Sequence, residues 1–206
     1  MYRKNEIEKR QVLVRDIKRA VLLSTYMQHW GMPESRTISS KGNEKIEIYS
    51  FPPMNKSSLH RFATIGVSEA KQADGMSAYY DFMMVLPRLL GDSSEEEVVS
   101  FMMDAVAYSL NQRESLQEGM TIPETSLAPK NWKPKALLID TPRAESEELS
   151  EYHIGGKIIT LYWLVPIHKD EYELILNQGI DSFDYLCEQS ELSLAEINRK
   201  SFVEKG

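Results

Sequence analysis

The residues nearest to a catalytic grouping are His168, Lys169, Asp170 and Glu171, consecutive in the chain. An imidazole beside carboxylates is the material of general acid–base catalysis, if a cleft brings the groups within reach of a substrate. Here they follow an apolar run and open a predicted helix, where Asp and Glu collect for capping and dipole reasons alone. The structural role is the stronger reading, and an enzyme using His168–Glu171 stays as an alternative. Metal chemistry has less to work with. His29, His60, His153 and His168 are scattered, and neither His-x-x-x-His nor Cys-x-x-Cys occurs. Gly155-Gly156 precedes a strand, whereas a phosphate loop follows one and opens a helix. Thr64-Ile-Gly-Val-Ser68 sets hydroxyls beside a glycine but lacks the Gly-x-Ser-x-Gly frame of a nucleophile elbow. Cys187, the single cysteine, reads as a buried hydrophobe. No catalytic, cofactor-binding or metal-binding residue is assigned.

The totals narrow the class further. The 206 residues, 42% of them hydrophobic, suffice for one substantial core, so a single domain over 1–206 is expected. Twenty-four basic against 31 acidic residues leave a net charge of -7, which argues against a general nucleic-acid binder. One cysteine excludes an internal disulfide framework. The charged opening MYRKNEIEKRQ is no secretory signal, and no apolar run reaches the roughly 18 residues a membrane span needs. The expectation is a cytoplasmic protein.

The chain is organised around 59–87. Phe62, Thr64 and Gly66 alternate with Arg61, Ala63, Ile65 and Val67 as in a strand, and Gly66 marks a bulge or the close approach of another backbone. Ala78–Leu86, stopped by Pro87, is a second strand. Asp74-Gly75 supplies the turn, so a hairpin inside the sheet is expected. Before it, 5–27 is a helix with Ile7, Leu13, Ile17, Ala20, Val21 and Ser24 as its buried stripe. Trp30 anchors its end, Gly31 caps it, and Pro33 forbids continuation. Residues 34–44 are polar and contain a turn at Lys41-Gly42-Asn43, followed by a first strand Ile46–Phe51. Asn55–Ser58 links it to the hairpin.

Beyond Pro87, Asp92-Ser93-Ser94 before Glu95-Glu96-Glu97 is a capping box opening a helix to about Leu110. Its buried stripe is Val98, Met102, Ala105, Val106, Ser109 and Leu110. Gly119–Lys135 reads as irregular, 136–139 as a short strand, and Asp140–Glu151 as an exposed acidic loop. Lys157–Pro166 is apolar on both parities, as suits a strand covered on both faces. Short helices over 167–178, closed by Gly179, and 180–189 follow. Ser193-Leu-Ala-Glu196 reads as a capping box opening a last helix that frays toward Gly206. The fold class is α+β, a central mixed sheet flanked by helices.

These pieces resemble, in order, the suppressor of fused domain family in its small bacterial form. Trp30-Gly31 to Pro33 looks like the element before the first strand, and Phe51-Pro52-Pro53 like its end. Phe62-Ala-Thr-Ile-Gly-Val-Ser68 is similar to the family's strand ending in Thr-x-Gly-x-Ser, which singles out Thr64, Gly66 and Ser68. Tyr80–Pro87 resembles the next strand, with Asp81 before an apolar run closed by Pro87. Ala107-Tyr108 and Gly119 look like the following helix and glycine. YWLVPIHKDE, Tyr162–Glu171, is similar to the closing strand and helix start, with Pro166, Glu171 and Gly179. The resemblance covers roughly 25–190 and implies structural roles for these residues. It also implies a protein-binding function and, in bacteria, an immunity protein that binds a cognate toxin.

The expected function is therefore a non-enzymatic immunity protein that neutralises a toxin, with no nucleic acid, membrane or cofactor as partner. The alternative of another class is an adaptor that receives a partner strand at a sheet edge. Many such toxin domains act on nucleic acid, so the resemblance implies a basic surface on the partner. Glu145, Glu147, Glu148 and Glu151 are the candidate acidic contact, beside the plainer reading of a solvated loop.

Overall fold

Strand β4 (Tyr80–Pro87) sends Tyr80, Phe82, Met84 and Leu86 into one apolar cluster and Met83 and Val85 into another. That alternation follows from the period of 2 in a pleated strand, and it means both sheet faces are covered. The structure, a computed structural model, describes residues 2–41, 44–54, 58–87, 93–143, 145–154 and 156–203. The expected turn at Gly42-Asn43, the link at 55–57, Asp92, Gly155 and the last three residues lie outside the described residues.

Around β4 the sheet contains β1 (Ser35–Lys41), β2 (Glu44–Phe51), β3 (Leu59–Ile65), β5 (Thr121–Ile122), β6 (Ala136–Asp140), β7 (Glu151–Ile154) and β8 (Lys157–Ile167). Its order is β1-β2-β3-β4-β8-β6-β5, with β7 also on β8. The β4–β8 pair is parallel and the remaining pairs are antiparallel, so the sheet is mixed. The β3–β4 hairpin lies inside the sheet, and β8 is paired on both sides, as the apolar runs predict. Helix α2 (Glu95–Asn111) covers one face through Val98, Phe101, Met102 and Ala105. The other face is covered by α1 (Tyr2–Trp30), α3 (Lys169–Gln178) and α4 (Ile180–Glu188). This is one α+β domain. Helix α2 starts on the predicted device: Ser94 Oγ accepts from the Glu97 N–H, and the Glu97 carboxylate accepts from the Ser94 N–H at 3.0 Å.

Five expectations are corrected. The α1 stripe faces outward: Leu13, Ile17 and Val21 are exposed, while Leu22, Tyr26 and Trp30 are buried. The aromatic face wins because Tyr26 stacks on Trp30 at 5.0 Å and both rings meet Phe51, burying more area than the β-branched face offers. Residues 35–41, expected only as a polar stretch, form strand β1, paired in register from Ser35↔Ser50 to Lys41↔Glu44. The irregular 119–135 stretch contains β5. The acidic loop is partly internal and runs into β7. The C-terminal segment forms turns after α4, so the expected helical tail is absent among the described residues.

Candidate functional site

Asp81 is wholly buried at the second position of β4, and its surroundings explain the Thr-x-Gly-x-Ser spacing. Thr64 Oγ1 donates to Asp81 Oδ1 at 2.8 Å, the Val67 N–H donates to the same oxygen at 3.0 Å, and Ser68 Oγ donates to Oδ2 at 2.6 Å. Thr64 Oγ1 in turn accepts the Phe82 N–H at 2.8 Å, which ties the cradle back to β4. Gly66 makes the geometry possible. Strand β3 ends at Ile65, and Gly66, at φ 111, swings the chain into a single helical turn whose N–H groups face the carboxylate. Burial pushes the Asp81 carboxyl up to about 6, against the pull of these hydrogen bonds toward ionisation.

That shift gives a pH dependence. Between about pH 4 and 6 the folded chain holds a proton on Asp81 that the unfolded chain has lost. Stability therefore falls as pH rises through this window, by about 3 kcal/mol from this group. Asp81→Asn removes the titration, so wild type should gain on the variant by about that amount between pH 7 and pH 4. Urea unfolding of both proteins across the window measures it, and a constant difference would show that Asp81 does not titrate there.

A second polar lattice fastens α1 to this cradle. Arg19 Nη1 donates to Glu47 at 3.1 Å, and Nε and Nη2 donate to Glu69 at 3.1 and 3.0 Å. Nη2 also donates to the Lys45 carbonyl. Burial pushes the Glu47 carboxyl up, but Lys45, Tyr49 and Arg19 outweigh it and hold the group below its usual range. Arg19 passes directly over Gly66. A Cβ there would lie 2.5 Å from the Lys45 carbonyl oxygen and 2.6 Å from Arg19 Nη2, so the predicted close approach of a backbone is real.

The His168–Glu171 region is a third lattice, closed on itself. Glu171 and Arg199 have fully buried side chains, and Arg199 grips both carboxylate oxygens, at 2.5 and 2.8 Å. The remaining capacity of Glu171 accepts the His168 N–H at 2.8 Å and the Phe202 N–H at 2.9 Å. His168 Nε2 lies 3.1 Å from the Arg199 carbonyl oxygen. The pair bolts the C-terminal segment to the start of α3.

Gly31 caps α1 at φ 83, donating to the Met27 carbonyl at 2.9 Å. Gly119 and Gly179 also have positive φ, Pro87 ends β4, and Pro166 lies in β8 opposite Leu137. Trp30 Nε1 donates to Glu145 at 2.9 Å, and Arg61 Nε donates to the other oxygen at 2.6 Å. Glu145 is thus committed inside the fold, which removes it from the acidic contact surface. Glu147, Glu148 and Glu151 are exposed. Asp140 is buried and clamped by Arg143 at 2.7 Å. Burial pushes the Cys187 thiol up to about 12, a poor nucleophile. The histidines do not converge, and among the described residues no group of His, Cys, Asp and Glu could hold a metal. Sequence reasoning missed Arg19, Arg61 and Arg199. The available signal was Arg19 in helical register with Leu22, Tyr26 and Trp30, an arginine on an inward face that needs carboxylates.

The model of the family described as Suppressor of fused protein (SUFU) matches residues 42–200, well over half of the chain. The chain belongs to the suppressor of fused family. The match takes in the Asp81 cradle and the Glu171–Arg199 pair. A suppressor of fused homologue from Neisseria gonorrhoeae FA 1090 superimposes with a TM-score of 0.70 at 17% identity, covering 91% of this chain and 98% of that one. A chain of the Sufu–Fu complex gives 0.64 at 13% identity, covering 89% and 91%. Drosophila Suppressor of Fused gives 0.65 at 13% identity, covering 90% of this chain and 51% of that one. At such identities these likenesses speak for the fold alone. No curated protein sequence matches. Among the described residues no helix is long and apolar enough to cross a membrane.

Proposed function

We propose that this suppressor of fused domain is a non-enzymatic immunity protein of the cytoplasm that binds and neutralises a cognate toxin. The observation that carries the protein-binding part is the outer face of α1. Leu13, Val14, Ile17 and Val21 are 43–59% exposed on that side of the helix, an apolar surface that the described residues leave open. The Sufu–Fu complex, in which a family member is bound to another protein, supports the same reading. The buried Asp81 is held by Thr64, Val67 and Ser68, and the buried Glu171 by Arg199, so both carboxylates are taken up inside the fold, which favours binding over turnover. The whole of 1–206 would act as one unit.

The test is stoichiometric. Titrating a purified cognate toxin with this protein should abolish the toxin's activity at one equivalent, without change to either chain. Neutralisation at a small fraction of an equivalent would overturn the reading in favour of an enzyme. Binding that leaves the toxin active would favour an adaptor, for which β1 is the specific observation. Its residues Ser35–Ser40 are exposed, and among the described residues no strand pairs with its outer edge.

Three carboxylates remain for the acidic contact, Glu147, Glu148 and Glu151. If they meet a basic toxin surface, changing all three to glutamine should slow association several-fold at low salt and flatten its salt dependence. Stopped-flow mixing at two salt concentrations measures this. Identical rates for wild type and variant would confine the three to solvation.

A further inference from the structure

We infer that the groove between α1 and the β3–β4 connection is the docking site for an acidic, extended segment of the protein partner. The inference rests on the protein-binding reading above and names its surface and the chemistry it selects. The groove, about 700 Å³, has Arg10, Arg15 and Lys18 of α1 along one side, with Lys71 and Lys157 from two other parts of the fold. Five cations thus converge in a chain whose net charge is -7. The one carboxylate of the lining, Glu69, is already engaged by Arg19. Among the described side chains of α1, four are arginine or lysine (Arg10, Arg15, Lys18, Arg19) against one acid, Asp16.

Tyr79 marks the same place independently. It is the only non-glycine with positive φ among the described residues, at 57°. Its hydroxyl bonds the Lys157 ammonium, which also sits 4.2 Å from the ring centroid. The Lys157 hydrogen bond holds the phenol below its usual range, and the Lys71 charge adds to the effect, as a positive local potential requires. Tyrosines with this backbone are strained, and strain of this kind collects at binding surfaces.

Charge complementarity then chooses the occupant. Val14, half-exposed in the groove, and the aliphatic stems of the lysines and arginines offer apolar contact between the cations. A segment that mixes acidic and apolar side chains matches that lining. A long polyanion such as duplex DNA would run on from the groove across an acidic protein and be repelled. The exposed Glu147, Glu148 and Glu151 have the opposite sign, so a partner of mixed charge would be oriented as well as attracted.

The test uses the full chain and two ligands, a fluorescein-labelled peptide of Glu, Asp and Leu, and the purified cognate toxin. Anisotropy at low salt should show the peptide bound by wild type and at least about tenfold weaker for Arg10→Glu/Arg15→Glu/Lys18→Glu. Lys130→Glu/Lys133→Glu/Lys169→Glu, an equal charge change at exposed positions elsewhere, should stay within about twofold. Lys157→Glu, outside α1, repeats the loss without altering the helix. The toxin complex should weaken with the same groove variants. A groove variant that loses the peptide yet keeps full toxin affinity would overturn the inference while leaving the protein-binding reading intact. Wild type failing to bind the toxin would overturn both. Tighter, groove-dependent binding of a duplex oligonucleotide would overturn the inference in favour of nucleic acid.

Discussion

Arg199→Ala should cost this protein about 3–5 kcal/mol of stability, the range for breaking a buried ion pair by removing one partner. Both side chains of the Arg199–Glu171 pair are fully buried, so the deletion leaves a carboxylate in the core with only two backbone N–H donors. It also frees the C-terminal segment, whose Phe202 packs edge-on against Phe183 at 5.8 Å and lies under the Arg199 guanidinium at 4.2 Å. For a chain of this size the loss corresponds to roughly 8–15 °C in Tm. Arg199→Lys should recover only part, because an ammonium cannot reproduce the bidentate fork. Arg199→Met combined with Glu171→Gln should be more stable than Arg199→Met alone, since the stranded charge is then gone. Urea unfolding of the four variants is the measurement. An Arg199→Ala protein within 1 kcal/mol of wild type, on the order of a surface substitution, would show that the tail is not bolted by this pair.

Gly66→Val should be nearly as damaging, at about 4 kcal/mol, from two causes that add. At φ 111 a β-branched residue is strained by about 1–3 kcal/mol. The Cβ would also lie 2.5 Å from the Lys45 carbonyl oxygen, backbone of a strand held in register with β3 through Glu47↔Ile65. The strand cannot retreat without breaking that ladder, so Arg19 must leave; the buried Glu47 carboxylate then keeps Lys45 and Tyr49 but loses the guanidinium, and Glu69 loses its ion pair with Arg19. Gly75→Val separates the causes, because Gly75 has φ 82 but open space beside it. It should show the conformational cost alone. Thermal unfolding of both variants decides, and equal melting temperatures would mean that the Arg19 lattice contributes nothing at Gly66.

Both predictions rest on arginines that the sequence alone did not reveal, and the reason is physical. The Ser94–Glu97 capping box, the Asp74-Gly75 turn and the doubly apolar run of β8 are local patterns, set by residues a few positions apart. Arg19 lies 28 residues from Glu47 and 50 from Glu69, and Arg199 lies 28 from Glu171. Nothing in the spacing of such pairs marks them. The edge strand β1 was invisible for the converse reason. Ser-Arg-Thr-Ile-Ser-Ser-Lys buries neither face, so it has no alternation to read.

The sequence by itself determined the α+β class, the hairpin at the heart of the sheet, the start of α2 and the family to which the chain belongs. It also marked Thr64, Gly66 and Ser68 in one motif and Asp81 in the next, without saying that the first motif holds the Asp81 carboxylate. Only the tertiary structure decided which face of α1 turns inward. Two apolar stripes compete on that helix, and periodicity weighs them alike. Phe51 and Tyr152, which meet Tyr26, come from distant strands and break the tie. That choice exposes the valines and isoleucine of the other stripe and swings Arg10, Arg15 and Lys18 into one groove with Lys157. The surface offered to a partner is thus a consequence of packing, because a helix that buries its aromatic side must present the rest.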